Sequence, residues 1–153
     1  GRDYVQKAGR KWFEIWVPHD PEAWQHPKIV FRDIAERPTF WMDMSGAVVN
    51  GDCYWIQLRS DLPQDILWLM LAVANSSVIE KYYDVVLGER LYAGRRRFMT
   101  RHVCKFPLPD PTLKASVGAA RIARRLAKED MADAQRADLE RCVDDYVTQA
   151  FGL

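Results

Sequence analysis

Ile66-Leu67-Trp68-Leu69-Met70-Leu71-Ala72-Val73-Ala74 is the longest apolar stretch of the chain, and its phase decides how the flanking sequence folds. Within and beyond it, Ile66, Leu67, Met70, Leu71, Ala74, Val78 and Tyr82 recur at spacings of three and four. That is the pattern of an amphipathic helix with one face on a core. Ser60 and Asp61 stand where a helix is capped, with Pro63 near its first turn. Gly88 stands where it would end. The spacing predicts one helix running to about Val86. The apolar stretch is too short to cross a bilayer.

On the N-terminal side the periodicity changes to that of strands. Lys11 to Val17 is rich in strand formers and stops at Pro18. Pro18 to Pro27 reads as a loop. Lys28-Ile29-Val30-Phe31, Thr39 to Asp43 and Cys53 to Leu58 are further strands, with Ser45-Gly46 and Asn50-Gly51-Asp52 as turns. All six tryptophans fall in this first half and are expected in the sheet's core, Trp41 included.

On the C-terminal side, Val103 to Phe106 reads as a strand halted by Pro107-Leu108-Pro109-Asp110-Pro111. This proline cluster divides the chain into residues 1–110 and 111–153. Past it, Ala119, Ile122, Ala123 and Leu126 line one helical face, and Leu139, Val143, Tyr146, Val147 and Ala150 another. A break around Lys128 to Ala134 makes the segment a helical hairpin, with Gly152 as its C-terminal cap. The expected fold is α+β: a small mixed or antiparallel sheet with a packed amphipathic helix, followed by a C-terminal helical hairpin.

A chain of 153 residues, 48% hydrophobic and 28% charged, is long enough to bury a core without staples. Three cysteines without a C-x-x-C pair argue against a disulfide framework and for a reducing compartment. With no signal-peptide pattern, the reading is a cytoplasmic protein with no membrane partner.

No catalytic motif emerges. The sequence has no phosphate-cradling Gly-Lys-Ser/Thr loop, no Gly-rich dinucleotide turn and no Gly-x-Ser-x-Gly elbow. His19, Asp20 and His26 share a loop but lack further ligands, so no metal site is assigned. His102 and Cys104 would share one face of a strand without a third orienting group.

The strongest positive signal is charge. The net charge is only +1, yet Arg90 to Phe106 holds six Arg or Lys residues and no acid. Guanidinium groups bond phosphate bidentately and are the commonest partners of guanine in the major groove. Along a strand, Arg95 and Arg97 would share one face and Arg96 the other, so that one side meets a nucleic acid while the other braces the scaffold. Charge alone leaves a solvated, salt-bridged turn as an equal alternative.

The order of segments adds a resemblance. Lys11-Trp12-Phe13-Glu14-Ile15, Pro27 to Ile34, Phe40 to Asp43 with Gly46, and Tyr54-Trp55-Ile56 come first. Leu71-Ala72-Val73-Ala74-Asn75-Ser76, Gly94 to Phe98, His102-Val103, Phe106-Pro107-Leu108-Pro109 and a tail of Leu139-Glu140, Asp144 to Val147 and Phe151-Gly152-Leu153 follow. Over residues 11 to 153 this succession resembles the C-terminal specificity domain of Taq-type adenine-specific DNA methyltransferases and restriction-modification enzymes. Ala74 departs from the family's usual leucine. The catalytic hallmark of that family, Asn or Asp followed by Pro-Pro and an aromatic residue, is absent.

The resemblance implies a DNA target-recognition module whose partners are double-stranded DNA and a separate catalytic methyltransferase domain. S-adenosylmethionine would be the cofactor of that other domain, with none in this chain. Expected DNA contacts are Lys28, Arg32, Asn50, Arg90, Arg95, Arg96, Arg97 and Arg101. The Pro18–Pro27 loop, the Glu36–Pro38 turn and Asp52 are further candidate readers. The alternatives are a specificity subunit of a type I restriction system, in which the C-terminal helices act as a spacer, and a protein-interaction domain without DNA binding.

Overall fold

The computed structural model describes Lys7, Gly9, residues 21–49 and residues 51–153. The strand expected over Lys11 to Val17 lies outside the described residues. A short 3-10 turn, Pro21–Gln25, leads into β1 (Lys28–Arg32). The next strands are β2 (Ile34–Ala35), β3 (Phe40–Asp43) and β4 (Cys53–Gln57). β1 is central and pairs antiparallel with both β3 and β4. β2 leaves that sheet and pairs antiparallel with β5 (Arg96–Arg97).

Strand alternation sorts the sheet into two faces. Inward, Phe40, Phe31 and Tyr54 form one rung across β3, β1 and β4, with ring centroids 4.8 and 5.7 Å apart. Phe98 and Tyr83 extend this aromatic row. Outward, Trp41 and Trp55 flank Val30 in register, and Trp24 leans on Trp55 at 4.6 Å. Trp41, expected in the core, is instead 40% exposed because it occupies the outer face of the edge strand.

The inner face packs on α1 (Asp65–Ala74), whose Leu67, Trp68, Leu69, Leu71, Ala72, Val73 and Ala74 are buried. The single long helix expected here is broken. Asn75 and Ser76 interrupt it before α2 (Ser77–Tyr82) and a π-helical turn, Tyr83–Leu87. The cause is local. Asn75 turns its side-chain amide onto β3, accepting from Phe40 N–H at 3.0 Å and donating to Phe40 C=O at 2.9 Å. It occupies the place of a missing strand partner. Ser76 then caps α2 by accepting from Ile79 N–H. Ser60 and Asp61 do not cap α1, which starts from Gln64 without a side-chain cap. Gly88, at φ 63°, ends the π turn as expected.

Val103 to Phe106 is not a strand. Thr100–Val103 is a helical turn, α3, in which His102 and Val103 N–H both bond Met99 C=O. The apolar pattern there was too short to separate strand from helix. His102 is accordingly buried and Cys104 exposed, rather than sharing a face.

The C-terminal hairpin consists of α4 (Lys114–Lys128) and α5 (Asp133–Ala150). The helices pack on each other, and α4 packs on α1, giving three layers: sheet, α1, hairpin. Gly118 lets the hairpin close, since a Cβ there would lie 2.8 Å from the Tyr146 ring. Gly152, at φ 72°, completes a Schellman cap: its N–H bonds Gln149 C=O, and Leu153 N–H bonds Thr148 C=O. Among the described residues no helix is long and apolar enough to cross a membrane.

Candidate nucleic-acid interface

The basic block folds as a tight hairpin standing on the π turn. Arg90 and Arg96 form an antiparallel bridge, and Leu91 N–H bonds Arg95 C=O at 2.7 Å. The loop between them, Tyr92-Ala93-Gly94, turns through two successive left-handed residues, Ala93 at φ 57° and Gly94 at φ 70°.

Asp84 of the π turn holds both arms. It accepts from Arg96 Nε and a terminal guanidinium nitrogen at 2.8 Å each, and from Arg90 at 2.6 Å. The hydrogen bonds from Arg96 and Arg90 outweigh partial desolvation and lower the Asp84 pKa to about 2. Arg96 also reaches Glu80 at 3.0 Å and the Glu36 carbonyl. Below it, Tyr83 donates its hydroxyl to Arg97 C=O at 2.8 Å and receives Arg97 N–H at 3.1 Å. His102 Nδ1 lies 2.7 Å from the same carbonyl. Every level of the hairpin's base is thus tied to the scaffold.

The eight expected contact residues therefore divide. Lys28 is fully buried, bonded to Asp43 and to Trp24 C=O, and cannot meet DNA from there. Its register partner on β3 is Asp43, which no local reading of β1 reveals. Arg96, 6% exposed, is likewise a scaffold residue. Arg97 pairs with Asp33 at 3.3 Å, Arg101 with Glu89 at 3.2 Å, and Arg90 with Asp84. These three keep partly open guanidinium groups. Arg32 is exposed at the end of β1. Asn50 lies outside the described residues.

Arg95 differs from its neighbours. It is exposed, and among the described residues its guanidinium meets the Tyr92 ring, 5.7 Å from the centroid, rather than a carboxylate. Tyr92 itself is 76% exposed. Val85 and Val86, on the turn that carries Asp84, are also open to solvent. The charge count did not reveal Tyr92, Val85 and Val86. The available signal was a run of apolar residues on either side of the Gly88 helix stop, Val85 to Leu87 before it and Leu91-Tyr92 after it.

Comparison with known proteins decides the family. Residues 3–108 match the model of the TaqI-like C-terminal specificity domain. The chain belongs to this family. The specificity domain is also similar to part of the Type II methyltransferase M.BanIII of Aneurinibacillus aneurinilyticus, with 35% identity over all 153 residues. It spans 26% of that protein's length. The family match ends at the proline cluster, whereas the similarity to M.BanIII continues through the helical hairpin.

Proposed function

We propose that this specificity domain recognises duplex DNA on behalf of an adenine-specific DNA methyltransferase, and that the hairpin tip Tyr92–Arg95 enters the DNA cleft. The observation that carries this reading is the contrast between adjacent arginines. Arg96 is buried in carboxylates while Arg95 is left at an exposed, aromatic tip. A rigid base with an open cationic and aromatic end suits contact with phosphates and base edges. Partly open Arg90, Arg97 and Arg101 would set the register on the backbone.

Methylation of a base inside a duplex requires its extrusion from the stack. Flipping, adenine selection and S-adenosylmethionine binding would belong to a separate catalytic domain, since this sequence lacks the family's hallmark of Asn or Asp followed by Pro-Pro and an aromatic residue. The hairpin α4–α5 packs on α1 rather than projecting from it, which favours this reading over a spacer between two recognition domains.

The test is duplex-DNA binding across a salt series. The chain is expected to bind with an affinity that falls steeply with salt. Tyr92→Ala together with Arg95→Ala should weaken binding about tenfold or more, on the scale of one good charge-assisted contact and one stacking contact. Thermal stability should be unchanged. Wild-type affinity in that variant would remove the tip from the interface.

A further inference from the structure

The basic block singled out by sequence is largely neutralised by its own scaffold, Arg95 at its tip excepted. A second group of cations without acidic partners lies on α4. Lys114–Lys128 contains five basic residues, Lys114, Arg121, Arg124, Arg125 and Lys128, and no acid. At 100° per residue these five fall on one arc, opposite buried Ala115, Ala119, Ile122 and Ala123. Arg125 pairs with Glu129, and Lys128 lies over the Trp68 ring. Lys114, Arg121 and Arg124 are exposed and make no ion pair with any described residue.

Two ordinary explanations fall short. Cations complement the C-terminal end of a helix dipole, which accounts for Arg125 and Lys128. Lys114 sits in the first turn, where a cation is disfavoured. Nor does the partner helix neutralise the stripe. The only acidic side chain bonded to α4 among the described residues is Glu129, at its own end, while Asp144 of α5 bonds Ser77 and Asp138 bonds Arg141.

We propose that the outer face of α4 is a second DNA-backbone site, with Lys114, Arg121 and Arg124 against successive phosphates. The stripe is about 21 Å long at 1.5 Å per residue, and duplex DNA presents one charge per roughly 1.7 Å of its axis. α4 packs on α1 and α5, whereas Tyr92 belongs to the hairpin that ends in β5. The stripe is therefore a separate, sequence-independent hold, in contrast to the hairpin tip. This inference rests on the DNA-recognition reading above.

The experiment is duplex binding against salt by the 153-residue chain, using a random-sequence duplex. It compares wild type with two charge-matched variants. One carries Lys114→Gln, Arg121→Gln and Arg124→Gln. The other carries Arg59→Gln, Lys81→Gln and Arg141→Gln, which lie off the stripe. Each phosphate contact contributes about 0.9 to the slope of log affinity on log salt. The stripe variant should be shallower by about 2 to 3, and the control by well under 1. Equal slope changes in both variants would reduce the effect to net charge and overturn the site. Binding that persists unaltered in the stripe variant would also overturn it, and leave DNA recognition by the hairpin standing. No binding by the wild-type chain at low salt would sink both.

Discussion

At the scale of single residues, identical side chains in one short segment do opposite things. Arg96 is a buried brace and Arg95 an exposed tip, and the difference comes from two acids, Glu80 and Asp84, and the Glu36 carbonyl. Replacing Arg96 with Ala should cost about 3 kcal/mol or more, because Asp84 and Glu80 lose a desolvated cation. Arg95→Ala should leave the urea midpoint in place. Equal midpoints for the two variants would contradict the brace. Lys28 and Asp43 form a second buried pair. Burial pushes the Asp43 carboxyl up, but hydrogen bonds from Lys28 and Ser45 prevail and hold it at about 2. Asp43 and Asp84 therefore both titrate below the ordinary value of 3.8. Their stabilisation is full above about pH 4 and is lost as pH falls toward 2. Urea midpoints measured down that range should fall, and less so in Asp43→Asn. The alternation of arginines was legible in sequence. Their partners were not: Asp33 lies 64 residues before Arg97, and Asp43 lies 15 after Lys28.

At the scale of elements, the strands around Lys28, Phe40 and Cys53 and the C-terminal hairpin followed their periodicity, because apolar alternation and the 3.6-residue stripe report directly on which side is buried. The break at Asn75 did not follow it. Val78 and Tyr82 continue the helical phase beyond Asn75, and what interrupts the helix is a pair of hydrogen bonds to Phe40, 35 residues earlier. Asn75→Ala should lower stability by about 1 to 2 kcal/mol, as two partly buried backbone groups lose their partners. A chemical-denaturation midpoint identical to wild type would show the amide to be incidental. The Gly118–Tyr146 contact yields a sharper case. Gly118→Ala ordinarily favours a helix by up to about 1 kcal/mol. Here the added methyl meets an aromatic ring at 2.8 Å, so calorimetry should show a lower melting temperature.

At the scale of the whole molecule, three layers place two cationic features on separate elements: the hairpin tip at Tyr92–Arg95 and a stripe on α4. The sequence reading stopped at the Arg90 to Phe106 block and passed over the acid-free run Lys114 to Lys128, because only the burial of that helix's other face shows those charges to be directed outward. The same layering leaves β3 at the margin of its sheet. A bare strand margin is a template on which another copy can lay its own strand, and the usual outcome is aggregation. Here the Asn75 amide already occupies both backbone groups of Phe40. A contact that first reads as a helix interruption thus also denies a rung to self-templating on that margin.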